Sequence, residues 1–201
     1  MIDFIAFDAD DTLWYSEVLY VNAQDQYTRL MAPYRPAGIV ERELHETEMR
    51  NLQRFGYGIK GFMLSMIETA IRLSDGALTG REVQSIIDLG REMLETPIKL
   101  FDHVEATLET LSRSHELMLI TKGDLLDQEA KLERSGLAGY FSRVEIVSDK
   151  TPQAYRAILA KHGIAPERFL MVGNSLRSDV LPVSAIGAHA VYIPYHLTWS
   201  H

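Results

Sequence analysis

The first twelve residues constrain the fold more than any other stretch. Ile2-Asp3-Phe4-Ile5-Ala6-Phe7 opens the chain and runs into Asp8-Ala9-Asp10-Asp11-Thr12. An apolar run of this length reads as a strand buried on both faces, as in parallel sheets covered by helices. Acids crowded at the C-terminal end of such a strand are costly unless a cation sits there. In extended chain residues two apart face the same way, so Asp8 and Asp10 are expected to share a pocket while Ala9 and Asp11 turn aside. Two acids in one pocket point to a metal, to a nucleophile with a proton donor, or to all three.

From Glu116 onward short apolar runs alternate with helical spacing, the pattern of β-α units on a parallel sheet. The runs are Leu117–Ile120, Val144–Val147, Phe169–Val172 and Ala190–Ile193, with helices expected over Leu125–Ser135, Pro152–His162 and Asp179–Ile186. Gly136 and Gly163 stand where glycines end helices, and Thr151-Pro152 places a cap and a first-turn proline. With the first strand this makes a five-stranded Rossmann-like α/β core, residues 1–13 and 99–201. The stretch 14–98 has no convincing strand and reads as an inserted four-helix domain. Its helices are expected at Glu17–Met31, Ile39–Arg54, Ile59–Leu73 and Arg81–Glu95, the last opened by a capping box of Thr79 and Glu82. Met63 and Met66 read as core of this insert. The tail from Tyr195 to His201 reads as an irregular end or a short helix.

In open parallel sheets ligands collect outside the carboxyl ends of the strands. Asp8 and Asp10 follow the first run, Thr121-Lys122-Gly123-Asp124 the second, Ser148-Asp149-Lys150 the third, and Gly173-Asn174-Ser175 the fourth, with Asp179 in the next helical turn. In this order Asp8-x-Asp10-x-Thr12, Thr121, Lys150 and Gly173-Asn174-x4-Asp179 resemble the four motifs of the haloacid dehalogenase superfamily, and the insert lies where members with a helical cap after the first motif carry it. The resemblance implies a phosphatase in which Asp8 attacks phosphorus to give an aspartyl-phosphate and Asp10 is acid, then base, provided its neighbours let it hold a proton near neutral pH. It further implies Mg²⁺ held by Asp8, the Asp10 carbonyl, Asn174 and Asp179, a phosphoryl hydrogen bond from Thr121, and charge neutralisation by Lys150. Asn174 departs from the family pattern, where aspartate is common, and contributes no charge to a metal site. An acid at position 10 favours phosphoryl transfer over carbon–halogen cleavage. The alternatives are a phosphomutase, a phosphonate hydrolase, a 2-haloacid dehalogenase, or a binding protein that keeps the fold without turnover.

Composition bounds the substrate. With 28 acidic against 20 basic side chains and a formal charge of -8, bulk charge recruits neither nucleic acid nor an anionic membrane. A small phosphorylated metabolite must therefore meet local cations. Lys122 and Lys150 in the core, and Arg54, Tyr57 and Lys60 in the Gly-rich break Arg54–Gly61, are the expected substrate contacts. The absence of cysteine excludes thiolate chemistry, and the seven histidines show no metal-ligand spacing on one helix face. Asp11 suits a turn after the first strand, Thr12 either that turn or a substrate contact, Asp124 a helix cap, and Arg177 a solvated helix position. No signal peptide or membrane span is legible, so a cytoplasmic protein is expected.

Overall fold

The computed structural model describes residues 1–196; Leu197–His201, and with them most of the expected tail, lie outside the described residues. The chain divides into two compact units. Among the described residues, one holds Met1–Ser16 with the chain from Pro97 to His196, the other Glu17–Thr96.

In the first unit, β1 (Phe4–Phe7), β2 (Glu116–Lys122), β3 (Arg143–Val147), β4 (Phe169–Gly173) and β5 (His189–Tyr192) form one sheet in the order β3-β2-β1-β4-β5. All four pairings are parallel. β1 is central, with Phe7 in register with Leu119 on one side and Val172 on the other. Its side chains alternate between two apolar layers. Ile5 and Phe7 pack with Leu117, Leu119, Leu108 and Leu132, whereas Ala6 packs with Met118, Ile120, Met171, Tyr155 and Ile158. Burial on both faces explains a run that is apolar throughout instead of alternating.

The crossovers are α6 (Leu125–Ser135) between β2 and β3, α7 (Pro152–His162) between β3 and β4, and a π-turn (Leu176–Val180) with the single turn α8 (Leu181–Ser184) before β5. Gly136 and Gly163 end α6 and α7 in the left-handed conformation, and Thr151 caps α7 by accepting from the Ala154 N–H. The helix expected over Asp179–Ile186 is replaced by the π-turn and α8. Pro182 brings no N–H to the helical ladder, and Gly187, with φ +81°, lies just past the end. A helix that the spacing does not predict, α5 (Val104–Ser112), precedes β2, with Leu108 buried in the first layer.

β2 continues two residues beyond its apolar run, because Thr121 and Lys122 pair with Ile146 and Val147 of β3. They end the strand instead of following it. Residues 14–16 and 97–98, which spacing alone assigns to the insert, group with the sheet. Trp14 is fully buried and bridges both Asp10 and Leu100.

The second unit is all helical: α1 (Glu17–Met31), α2 (Ala37–Phe55), α3 (Ile59–Leu73) and α4 (Gly80–Glu95). Their apolar stripes meet in one core that includes Tyr27, Val40, Leu44, Phe62, Met66 and Ile86, and the Tyr27 hydroxyl donates to the Met66 carbonyl at 3.0 Å. The Thr79–Glu82 capping box opens α4. At Gly61 a β-carbon would lie 2.9 Å from the Gly56 carbonyl oxygen, so glycine permits the tight return between α2 and α3. Among the described residues no helix is long and apolar enough to cross a membrane.

Candidate active site

The sheet delivers Asp8 to its C-terminal edge. The Asp8 N–H donates to the Val172 carbonyl at 2.9 Å, extending the β1–β4 ladder one residue past the strand. There the buried carboxylate meets Lys150, whose Nζ is 2.5 Å from Asp8 Oδ1 and 2.7 Å from Asp179 Oδ1. Thr12 Oγ1 lies 3.3 Å from Asp8 Oδ2 and 3.4 Å from Asn174 Oδ1, its one proton shared between two acceptors. Burial pushes the Asp8 carboxyl up to about 6; Lys150 opposes this and Asp179 adds to it. Burial also works against the Lys150 charge, but Asp179 and Asp8 outweigh it and hold the ammonium protonated.

Asp179 reaches this cluster because the π-turn folds back on the end of β4. Its Oδ2 accepts from the Ser175 N–H at 3.0 Å, and its own N–H donates to the Ser175 carbonyl at 2.7 Å. A β-carbon on Gly173 would lie 2.3 Å from Asp179 Oδ2, so the carboxylate occupies space that any other residue would fill. The fully buried Tyr155 pins the turn from α7, donating to the Ser178 carbonyl at 3.0 Å. Lys122 Nζ reaches Ser178 Oγ at 3.1 Å, and burial and the neighbouring Lys150 both lower its pKa.

Asp10 does not share its partners with Asp8. After Asp8 the chain turns, with Thr12 and Leu13 N–H groups donating to the Ala9 carbonyl and Asp11 at φ +58°, so the alternation of an extended strand ends. Asp11 is the turn residue expected, its carboxylate accepting from the Ser16 N–H at 2.9 Å. Asp10 Oδ1 accepts from Trp14 Nε1 and Oδ2 from Gln128 Nε2, both at 2.8 Å, and Lys131 Nζ lies 3.2 and 3.3 Å from the two oxygens. Burial raises the Asp10 pKa, but Lys131, Gln128 and Trp14 together bring it below the usual value. The surroundings thus hold Asp10 ionised, so the condition that its neighbours let it hold a proton near neutral pH is not met without added negative charge at the site.

Sequence reasoning misses Gln128, Lys131, Trp14 and Tyr155. Lys131 is almost wholly buried and also pairs with Asp127 at 3.2 Å. Gln128 Oε1 accepts from Thr121 Oγ1 at 3.1 Å, and Asp124 caps α6 through the Asp127 N–H, as expected. A sequence signal exists in part. Asp127 and Gln128 lie one turn before Lys131 on the helix that leaves a site strand, a spacing at which side chains on one helix face meet.

Of the other expected contacts, Arg54 is in the last turn of α2, Tyr57 lies between α2 and α3, and Lys60 is in the first turn of α3, all in the helical unit. Among the described residues no three His, Cys, Asp or Glu side chains gather as a metal cluster. The donors at the sheet edge are instead two carboxylates, an amide oxygen and main-chain carbonyls. Such hard oxygen donors suit Mg²⁺, which is held by one or two carboxylates and otherwise by water and phosphate. Asp8 and Asn174 fit this in one further respect, since both turn an oxygen toward the single Thr12 hydroxyl.

A family model described as haloacid dehalogenase-like hydrolase matches residues 2–187. A haloacid dehalogenase-like family hydrolase from Xanthomonas campestris is 44% identical in sequence, covers 96% of this chain and 82% of its own, and superposes with a TM-score of 0.92. A phosphoserine phosphatase from Thermus thermophilus is 35% identical over 100 residues, 47% of this chain; the match spans 40% of that relative. A glyceraldehyde 3-phosphate phosphatase from Methanothermobacter thermautotrophicus is 26% identical over 98% of this chain and 88% of its own. A 2-haloacid dehalogenase from Pseudomonas syringae shares the fold at 23% identity, with a TM-score of 0.67 over 100% of this chain and 90% of its own.

Proposed function

The chain belongs to the haloacid dehalogenase-like hydrolases, and on that premise we propose that it is a Mg²⁺-dependent phosphatase of small phosphate monoesters, working through an aspartyl-phosphate on Asp8. The observation that carries this reading is the pairing of two differently held acids: Asp8 bridged by Lys150 to Asp179, and Asp10 gripped by Trp14, Gln128 and Lys131. One buried carboxylate with an ammonium at its side is a nucleophile, and a second, oriented by three donors, is an acid–base group.

Asp8 attacks phosphorus; the Asp8–phosphorus bond forms as the bond to the ester oxygen breaks, and Asp10 gives that oxygen its proton. An arriving phosphate brings negative charge beside Asp10, which favours the protonated form. Water then attacks phosphorus, Asp10 takes its proton, and the Asp8 carboxylate is regenerated. Lys150 offsets charge on Asp8 and the transferring group, while the Thr121 hydroxyl, whose one proton goes to Gln128, holds that side chain beside Asp10. Asp8, the Asp10 carbonyl, Asn174 and Asp179 would hold Mg²⁺, which would supply the positive charge that lets a carboxylate approach a phosphate dianion. Halide loss needs no proton, and a dehalogenase would have no use for so firmly oriented an Asp10.

The helical unit is the cap in this reading. Arg54, Tyr57 and Lys60 select the leaving group, supported by the two cations and tyrosine clustered in one glycine-rich turn, and Lys122 assists the phosphate. The test is phosphate release from a panel of phosphorylated metabolites with and without Mg²⁺, beside Asp8→Asn and Asp10→Asn. Mg²⁺-dependent release that Asp8→Asn abolishes is expected; release independent of Asp8 would overturn the reading. Alanine at 54, 57 and 60 in turn should alter the order of preferred substrates.

A further inference from the structure

Gln128 is the only residue whose side chain joins the two halves of the proposed chemistry among the described hydrogen bonds, linking Thr121 on β2 to Asp10 after β1. The polarity of that link is fixed by elementary bonding. The Gln128 amide N–H donates to Asp10 Oδ2, and the other neighbours of that carboxyl group, Trp14 Nε1 and Lys131 Nζ, are donors too. Its carbonyl then faces Thr121, and the Thr121 hydroxyl must donate. The carboxamide is therefore oriented at one end by a hydroxyl and at the other by a carboxylate, with 3.1 and 2.8 Å contacts, and it is itself almost fully buried. Gly123, at φ +146°, lets the chain pass close over it, since a β-carbon there would approach Gln128 Nε2 to 3.2 Å. A buried polar side chain whose hydrogen bonds go to two site residues does little for the apolar layers beside it.

We propose that Gln128 is a positioning residue, which aims the Asp10 carboxylate at the leaving oxygen and is itself held in orientation by the Thr121 hydroxyl. This rests on the phosphatase reading. Gln128 touches neither phosphorus nor the leaving group, so its loss should fall on the proton transfer that Asp10 performs. That transfer matters greatly for an alkyl phosphate, whose alkoxide leaves poorly, and little for 4-nitrophenyl phosphate, whose phenolate leaves unaided.

The experiment measures kcat/KM for an alkyl phosphate monoester that the wild type accepts and for 4-nitrophenyl phosphate, in Gln128→Met and Gln128→Leu. Both variants keep the volume and remove the hydrogen bonds, and two are made so that one remains if the other does not fold. The alkyl-to-aryl ratio should fall roughly 10- to 100-fold, less than the roughly 100- to 10,000-fold that a general acid itself contributes, because Gln128 only aims it. Adding Gln128→Met to Asp10→Asn should leave the ratio of Asp10→Asn unchanged, because the two act as one unit. Thr121→Val should lower the ratio as well, and Thr121→Ser, which keeps the donor, should restore it. An equal loss for both esters, or an unchanged ratio, overturns the positioning role while leaving the phosphatase reading intact. Failure of the wild type to release Mg²⁺-dependent phosphate from either ester overturns that reading, and this inference with it.

Discussion

Asp10 in the sheet unit and Glu48 in the helical unit are both partly buried carboxylates lying near another acid, and they come to opposite states. Lys131, Gln128 and Trp14 overcome the burial of Asp10 and keep it charged. Glu48 on α2 is pushed up to about 8, first by burial and then by Glu17 on α1. Desolvation acts on both alike, so local donors decide. The sheet edge gathers those donors because five parallel strands end there and send their polar residues to one side. In the helical unit the polar groups are spread along helix faces that otherwise pack an apolar core, and among the described residues no donor gathers at Glu48 to offset its burial.

The contrast predicts that removing charge should harm the first unit and help the second. Lys150→Met leaves Asp8 and Asp179 face to face, and should cost about 3–5 kcal/mol of folding stability, read by urea denaturation at pH 7. Gly173→Ala should cost about 2 kcal/mol, since the new β-carbon must displace the Asp179 carboxylate. Activity should fall more than stability does, because the displaced group belongs to the site; both are read by pairing the denaturation midpoint with phosphate release.

Glu48→Gln should do the reverse. Unfolded, Glu48 titrates near its usual 4.5, and folded near 8, so the folded state binds the extra proton between these values. Stability linked to this group is complete below about pH 4.5 and is lost as pH rises to 8. The substitution should therefore stabilise the protein at pH 8 and have no effect near pH 4.5, in denaturation curves taken at both. Equal effects at the two pH values would erase the contrast between the units. Thr79→Ala gives the smallest change, about 1 kcal/mol for a lost capping box in the helical unit, with no effect on the sheet-edge chemistry.

Much of this architecture is legible in the order of the residues. The bounds of α1, α3, α6 and α7 follow from spacing and caps alone, because a proline at a first turn or a glycine past a last one fixes a helix end locally. The strands follow from short apolar runs, and the order of polar residues at their ends places Asp8, Thr121, Lys150 and Asp179 on one edge. The π-turn at Leu176–Val180 is not legible, since it depends on the Asp179 carboxylate finding the Ser175 N–H and the space above Gly173. Nor is the divergence of Asp8 and Asp10, which follows from the turn after Ala9 and from an α6 whose Gln128 and Lys131 lie 118 and 121 residues further along the chain.

By itself the sequence determined which segments are strands and helices, that acids and lysines end the strands, and that the inserted stretch is helical. These are properties of neighbouring residues and of period. Tertiary structure alone decided which lysine faces which acid, and so which carboxylate carries a raised pKa and which a lowered one. Charge state in a buried site depends on distances of 2.5 to 3.3 Å between residues remote in the chain, and no local pattern encodes such distances.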